Sequence, residues 1–156
     1  MIQLEIPGNG CLVLEHLVLD LNGTISLDGR LIGGVKERIS HLRGSLSIQI
    51  VTADTRGHAD ALERELRVNV RKIQRGDESQ QKLGIVRRLG ARSTVAVGNG
   101  ANDADMLREA ALGICVLGTE GASIAALMNS DLVVPNIIVA FDLLIYPERL
   151  VATLRR

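Results

Sequence analysis

LVLDLNGT, at residues 17–24, is the stretch from which the architecture of this chain can be inferred. Its apolar run at 17–19 is typical of a strand that is buried on both faces of a parallel sheet. Asp20 then places a carboxylate at the carboxyl edge of the sheet, where open α/β sheets bind ligands. Gly23 allows a sharp turn at a position where a Cβ could obstruct a ligand. Alone, the stretch could equally be a strand that stops at an ordinary turn, because Asp, Asn and Gly are all turn residues.

Strand and helix patterns alternate on both sides of this stretch. Residues 2–6 alternate with period two and are followed by turn residues and a returning apolar run, which predicts a β-hairpin over 2–14. A second short hairpin is predicted at 25–32, turned by Asp28-Gly29. Further strands are predicted near 46–51, 68–73, 94–97, 112–117 and 132–134, with helices between them and a helical segment from 137 onward. The alternation predicts an α/β fold: a three-layer, doubly wound, Rossmann-like parallel sheet with short β-hairpins, in a single domain over residues 1–156.

The composition indicates a globular protein and argues against several classes of partner. With 156 residues, 46% of them hydrophobic, the chain can bury one substantial core. The 18 acidic and 18 basic residues balance without a basic block, so we expect no nucleic-acid partner. No apolar run has the length of a membrane span and no secretory pattern begins the chain, so we expect no membrane partner. Cys11 and Cys115 lack metal-ligand spacing and are interpreted as buried apolar side chains, which fits a reducing, cytoplasmic location.

Three of the predicted strands end in polar clusters. These are DLNGT at 20–24, TAD at 52–54 and GNGAND at 98–103, and Lys82 lies in a predicted helix between the last two. With these residues the sequence resembles the haloacid dehalogenase-like superfamily of phosphotransferases, whose four motifs occur in the same order. Asp20 to Thr24 matches Asp-x-x-Gly-Thr, Thr52 matches the strand-end Thr or Ser, Lys82 matches the lone lysine, and 98–103 matches Gly-Asp-Gly-x-Asn-Asp. The resemblance covers nearly the whole chain.

Within that superfamily, the second and fourth motifs look most like the phosphorylation domain of P-type ATPases, in particular the small soluble P-type ATPase-like group. Only 32 positions separate Asp20 from Thr52, and 30 separate Thr52 from Lys82. Neither of the family's usual cap insertions fits into these intervals. We therefore expect a member of the family without a cap domain.

The resemblance implies a role for each matched residue. Asp20 would be the nucleophile that forms an aspartyl-phosphate, and Thr52 and Lys82 would bind and neutralise the phosphoryl oxygens. Mg²⁺, a hard cation that prefers oxygen ligands, would be held by Asp20, Asn22, Asn99 and Asp103. The substrate would be a small phosphorylated molecule, with contacts from Gly23, Thr24, Ala53 and Asn102 and, at the mouth of the site, from Arg56 and His58.

Several of these residues also have an ordinary structural explanation. A lysine in the middle of a helix, such as Lys82, is usually solvated, and Thr52 could simply terminate a strand. Asp103 could cap the helix that follows it. Arg56 and His58 could be surface residues without a role. The joint placement of the motifs at strand ends favours the functional interpretation.

Two asparagines depart from the family pattern. The family usually has an aspartate two residues after the nucleophile, which protonates the leaving oxygen and then activates water, but this chain has Asn22. An amide cannot transfer protons in this way, so general acid–base catalysis, typically ~10²–10⁴-fold, is expected to be absent. Asn99 stands where the family has a metal-binding aspartate, and its amide oxygen brings no charge to the cation. The sequence therefore predicts slow turnover.

Two functions of different class remain open. The chain could be a Mg²⁺-dependent phosphohydrolase or phosphotransferase, or a catalytically weakened relative that binds phosphate as a regulatory or assembly module. A dinucleotide-binding protein is disfavoured, because no glycine-rich turn of the required kind follows the first strand. We also expect a homo-oligomer, because a site without a cap needs shielding from water and the apolar segment 137–146 exceeds what a small domain should expose.

Overall fold

The structure is a computed structural model that describes residues 1–53 and 58–156. In this part of the chain the β-strands are β1 (Ile2–Ile6), β2 (Gly10–Leu14), β3 (His16–Asp20), β4 (Ser26–Leu27), β5 (Arg30–Leu31), β6 (Ser47–Thr52), β7 (Asn69–Lys72), β8 (Thr94–Gly98), β9 (Leu112–Val116) and β10 (Leu132–Val134). The α-helices are α1 (Val35–Leu42), α2 (His58–Leu66), α3 (Glu78–Leu89), α4 (Ala104–Glu109), α5 (Ile124–Met128), α6 (Ile137–Ile145) and α7 (Pro147–Leu154).

The main sheet has six strands in the order β10, β9, β8, β3, β6, β7, with β3 paired in parallel to β6 on one side and to β8 on the other. The chain runs outward from β3 to β7 and then crosses to β8, so the strand order reverses next to β3. In open α/β sheets a ligand crevice lies outside the carboxyl ends of the strands at such a reversal. The predicted α/β fold with a doubly wound parallel sheet is confirmed, and antiparallel hairpins form at β1–β2 and β4–β5.

The central strand β3 buries both of its faces, as its continuous apolar run predicts. Leu17 and Leu19 join a core that includes residues of α1 and α6, whereas Val18 joins a second core with residues of α3 and α4. All three side chains are fully buried. Because successive side chains of a strand point to opposite faces, this division places helices on both sides of the sheet and produces three layers.

Small residues let α4 lie close to the sheet. Gly113, in β9, is buried between Ala96 of β8 and the helix. A Cβ on Gly113 would collide with the backbone carbonyl group of Leu107 and would lie 2.9 Å from its carbonyl carbon. Since these are backbone atoms of a packed helix, they cannot rotate away, and residue 113 therefore sets the distance between α4 and β9.

The apolar C-terminal segment packs against the core of the chain and exposes less apolar surface than expected: of residues 137–146, four are buried, five are half-buried and Tyr146 is exposed. Ile137, Ala140, Phe141 and Leu144 of α6 belong to the larger core. Arg38 of α1 holds this helix in place through Asp142, with 2.7 Å from Nε to Oδ1 and 3.2 Å from Nη2 to Oδ2. The expected homo-oligomer therefore loses this part of its support and stays a prediction.

The two cysteines lie in different environments. Cys115, in β9, is buried as expected, but Cys11, in β2, is exposed, which corrects the sequence interpretation. The reason is that β1 and β2 form a separate two-stranded sheet outside the main one, so part of β2 faces solvent.

None of the helices described over residues 1–53 and 58–156 combines the length and the apolar character that crossing a membrane requires.

Two glycine-to-alanine substitutions test this packing. Gly113→Ala should lower the free energy of unfolding by about 1–3 kcal/mol, because the new methyl group overpacks the contact with Leu107. Gly84→Ala is the matched control, since Gly84 lies inside α3 and a Cβ there meets no described atom within 4 Å outside the helix backbone. It should stabilise the protein by about 0.5–1 kcal/mol through a lower unfolded-state entropy. Urea unfolding measures both values, and similar effects of the two changes would contradict the packing described here.

Candidate functional site

The described residues of the three polar clusters meet at the carboxyl edge of the sheet, next to the reversal of strand order; Asp54 of the second cluster lies outside the described residues. Asp20 ends β3, Thr52 ends β6, and Asn99 directly follows β8. They open onto a cavity of about 640 Å³. Its described lining consists of Asp20, Asn22, Gly29, Thr52, Ala53, His58, Arg75, Glu78, Lys82, Asn99, Gly100, Asn102 and Glu120.

A buried lysine connects the first motif to the last. Helix α3 carries Lys82 to the sheet edge, where its Nζ lies 2.8 Å from Asp20 Oδ1 and 2.6 Å from Asp103 Oδ1. The Lys82 side chain is 2% exposed, so it is not a solvated surface lysine. One lysine thus serves two carboxylates, and the trio has a net charge of −1 when all three groups are ionised.

Asp103 is held on both of its oxygens. Oδ1 accepts from Lys82, and Oδ2 accepts from the backbone N–H groups of Asn99 at 3.0 Å and Gly100 at 2.9 Å. The side chain makes no capping hydrogen bond to α4 among the described residues, so its role is not that of an ordinary N-cap. A Cβ on Gly98 would lie 2.5 Å from Asp103 Cγ, which explains why β8 ends in glycine.

Burial and the net negative charge of this trio shift the pKa values of Asp20 and Lys82. Burial, and then the negative charge of Asp103, raise the pKa of Asp20 from its ordinary 3.8 to about 7, against the opposing effects of Lys82 and the Thr24 hydroxyl. Burial lowers the pKa of Lys82, but Asp20 and Asp103 outweigh it, and the net direction is upward. Lys82 therefore stays charged, whereas ionisation of Asp20 is unfavourable in this buried site.

The turn after β3 holds the Asp20 carboxylate through a hydrogen bond from Thr24. Gly23 has φ of 78°, and it directs the chain so that Thr24 Oγ1 lies 3.2 Å from Asp20 Oδ2 and 3.2 Å from Asn99 Oδ1. The backbone N–H groups of Gly23 and Thr24 donate to carbonyl groups of the same turn. Neither residue is among the described cavity lining. Both therefore position Asp20, whereas Asn22 faces the cavity.

Asn99 uses both ends of its amide. Oδ1 accepts from the Thr24 hydroxyl at 3.2 Å, and Nδ2 donates to the carbonyl oxygen of Gly121 at 3.1 Å. Its backbone oxygen accepts from the N–H of Ser123 at 2.8 Å. The side chain is buried, and it joins the motif after β8 to the loop that follows β9.

The oxygens around Asp20 fit Mg²⁺ in type but bring little charge. Asp20 Oδ2 and Asn99 Oδ1 both lie 3.2 Å from Thr24 Oγ1, so a carboxylate and an amide oxygen converge beside Asn22. Asp103, in contrast, accepts hydrogen bonds on both oxygens, from Lys82 and from two backbone N–H groups. Within the described residues, no three His, Cys, Asp or Glu side chains are grouped so that they could hold a metal ion. A cation here would need amide and backbone oxygens in addition to Asp20.

The remaining predicted residues lie along the cavity wall. Thr52 and Ala53, at the end of β6, and His58, at the start of α2, all line the cavity. Asn102 Nδ2 lies 2.5 Å from Glu78 Oε2, which connects the fourth motif to the start of α3. Arg56 lies outside the described residues.

Sequence reasoning missed three charged residues of the cavity: Arg75, Glu78 and Glu120. Arg75 lies in the loop between β7 and α3, Glu78 is the first residue of α3, and Glu120 lies in the loop after β9. Their one sequence signal was their place in loops that follow parallel strands, because such loops meet at the same edge of the sheet. No motif marked them.

Comparison with other sequences gives two informative relatives, although no protein-family model matches the chain. An uncharacterised protein of Methanocaldococcus jannaschii is 44% identical over 84 residues, which cover 51% of this chain and 90% of that protein. A soluble P-type ATPase-like phosphatase of the same organism is 27% identical over 138 residues, which cover 86% of this chain. The match spans 50% of that phosphatase, so this chain corresponds to half of its length.

Solved structures share the fold. The 3-deoxy-D-manno-octulosonate 8-phosphate phosphatase of Moraxella catarrhalis, solved with magnesium, phosphate and a KDO molecule, matches with a TM-score of 0.67 and 18% identity over 91% of this chain and 94% of that one. With its motifs at the sheet edge and its solved structural neighbours, the chain has the haloacid dehalogenase-like fold, and its sequence is distantly similar to that of the soluble P-type ATPase-like phosphatase.

Proposed function

We propose that this chain is a Mg²⁺-dependent phosphohydrolase or phosphotransferase that acts through an aspartyl-phosphate on Asp20. The observation that carries the proposal is the buried contact of 2.8 Å between Lys82 Nζ and Asp20 Oδ1 at the cavity. Phosphoryl transfer depends mainly on positioning and on neutralising the charge of the phosphoryl oxygens. A nucleophile held beside a buried cation meets both needs.

In the proposed reaction, an Asp20 oxygen attacks the phosphorus atom and the bond from phosphorus to the leaving oxygen breaks. Lys82 balances the charge of the carboxylate and of the phosphoryl group, and the Thr52 hydroxyl donates to a phosphoryl oxygen. Water then attacks the phosphorus of phospho-Asp20, which releases phosphate and restores the carboxylate. Another acceptor in place of water would make the chain a phosphotransferase.

Mg²⁺ would be held by the Asp20 carboxylate, the backbone carbonyl of Asn22 and the amide oxygen of Asn99, which are the hard oxygen donors that it prefers. Bound there, the cation supplies positive charge to the phosphoryl oxygens. Asp103 would contribute indirectly, because its oxygens fix Lys82 and the backbone of Asn99.

The turnover that we propose is slow. Asn22 lines the same cavity as Asp20, but its amide can neither protonate a leaving oxygen nor activate water. The leaving group must therefore take its proton from solvent, and the phosphoenzyme must wait for unactivated water. Without general acid–base help the rate falls by typically ~10²–10⁴-fold.

We propose a small phosphorylated substrate and a single domain over residues 1–156 without a cap. The substrate beyond its phosphate would meet His58, Arg75 and Gly29, the last at the tip of the β4–β5 hairpin, since all three line the cavity. Arg75 would suit a substrate with a second anionic group. A homo-oligomer could complete the shielding of this open site from water.

The alternative is a catalytically weakened module that binds phosphate and serves regulation or assembly. It is favoured by the two amides, Asn22 and Asn99, at positions where the family has carboxylates. Phosphatase assays over a broad set of phosphorylated metabolites, with and without Mg²⁺ and with Asp20→Ala as control, separate the two functions. Release of phosphate that needs both Mg²⁺ and Asp20 supports the enzyme.

Trapping of the phosphoenzyme mimic tests the nucleophile. Beryllium fluoride with Mg²⁺ should raise the melting temperature of the wild type, because a ligand at 100 times its Kd stabilises the folded state by about 2.7 kcal/mol. Asp20→Ala should show no shift, since it lacks the carboxylate that the mimic needs. Differential scanning fluorimetry with Mg²⁺ alone and fluoride alone provides the baselines. An equal shift in both proteins would refute the assignment of Asp20.

Restoring the missing acid should accelerate turnover. Asn22→Asp should raise kcat toward the ~10²–10⁴-fold range of general acid–base catalysis. Asn69→Asp is the control, because it adds the same charge at the start of β7, at the opposite edge of the sheet. Steady-state phosphate release measures both. If Asn22→Asp is no faster than Asn69→Asp, the acid–base explanation is refuted, and the result supports the alternative of a phosphate-binding module with weakened catalysis.

The raised pKa of Asp20 predicts a pH-dependent stability of the metal-free protein. Because the folded-state pKa of about 7 lies above the ordinary 3.8, the folded state binds the proton more tightly and stability falls as pH rises between these values. Asp20→Asn removes this titration. In EDTA, its melting temperature should exceed that of the wild type by a margin that grows from pH 4 to about pH 7 and is then constant. A margin that shrinks as pH rises would contradict the charge balance of the site.

A further inference from the structure

Glu120 brings a carboxylate to the cavity from a loop that no motif covers. A Cβ on Gly23 would collide with Glu120 Oε2 and would lie 3.1 Å from Glu120 Cδ. The carboxylate therefore lies over the turn that follows Asp20, and Glu120 lines the same cavity. No described residue forms a hydrogen bond or ion pair with this carboxylate.

Asn99 holds the loop that carries Glu120. Its Nδ2 donates to the carbonyl oxygen of Gly121 at 3.1 Å, and its backbone oxygen accepts from Ser123 at 2.8 Å. Gly118 packs at the other end of the loop, where an added Cβ would be 3.4 Å from the carbonyl oxygen of Gly23. An aspartate at position 99 could not donate to the Gly121 carbonyl and would face it with a negative oxygen instead.

The other acids of the cavity are already engaged. Asp103 spends its oxygens on Lys82 and on the backbone, and Glu78 accepts from Asn102 at 2.5 Å. The described acidic residues that line the cavity are Asp20, Glu78 and Glu120, and of these Glu120 alone has no described hydrogen-bond or ion-pair partner. Gly23 permits the close approach of Glu120, because a Cβ there would collide with Glu120 Oε2 and the carboxylate would have to move away.

We infer that Glu120 supplies the second negative charge of the divalent-cation site, in place of the carboxylate lost at Asn99. The inference rests on the proposed function and deepens it. Asn99 brings no negative charge to the site, but its amide nitrogen holds the loop that carries the Glu120 carboxylate. Mg²⁺ usually keeps several bound waters, so a carboxylate in this position can act on it directly or through one of them.

Binding of Mn²⁺, measured by the EPR signal of the free ion, tests this inference without an activity assay. Glu120→Gln should weaken Mn²⁺ binding by about fivefold or more, as expected for the loss of one charge near 4 Å even at the dielectric constant of water. Glu148→Gln is the matched control, because it removes the same charge from the exposed surface of α7. It should bind Mn²⁺ like the wild type.

A second pair of variants tests the exchange of charge between positions 99 and 120. Asn99→Asp in the Glu120→Gln background should bind Mn²⁺ more tightly than Glu120→Gln alone, because it restores a carboxylate beside Asp20. Absence of this gain contradicts the exchange. The exposed position of Glu120 makes misfolding of Glu120→Gln an inadequate explanation, and its melting temperature in EDTA checks this directly.

The outcomes separate this inference from the proposed function. Equal Mn²⁺ affinities of wild type and Glu120→Gln overturn the role of Glu120 alone. The expected loss in Glu120→Gln, combined with no stabilisation of the wild type by beryllium fluoride, supports the cation site but overturns the phosphoenzyme. A wild type that binds no Mn²⁺ at millimolar concentration overturns both.

Discussion

The contact of Lys82 with Asp20 and Asp103 is the interaction on which the site depends. A buried ammonium group is costly unless it is paired and hydrogen-bonded, and here two carboxylates at 2.8 and 2.6 Å provide the pairing. Asp103 in turn needs the backbone N–H groups of Asn99 and Gly100. One side chain of α3 thereby ties together the ends of β3 and β8, on the two sides of the point where strand order reverses.

The same contact leaves the site with one negative charge too many. Burial, and then the negative charge of Asp103, raise the pKa of Asp20 to about 7, because the one lysine that the two carboxylates share does not offset both effects. A folded domain would be more stable with an amide in place of Asp20. This excess negative charge favours a ligand that brings positive charge, and a divalent cation at the cavity would offset it.

Asn22 and Asn99 have different structural roles. In the sequence, both look like the loss of a family carboxylate. In the structure both asparagines line the cavity, but Asn99 is buried and also donates its Nδ2 to the Gly121 carbonyl oxygen at 3.1 Å. An aspartate cannot make that hydrogen bond. The substitution at 99 is therefore linked to the loop that presents Glu120, and the two asparagines should be treated as separate changes.

Sequence by itself determined the fold class, the hairpins and the order of the strand-end motifs, because these follow from local patterns: apolar runs, period-two alternation and turn residues around Asp20, Thr52 and 98–103. Tertiary structure alone decided the exposure of Cys11, the burial of α6 and the partners of Asp103. It also decided the position of Glu120, which no motif marks. Each of these depends on which distant segments come into contact, and local patterns carry no information about such contacts.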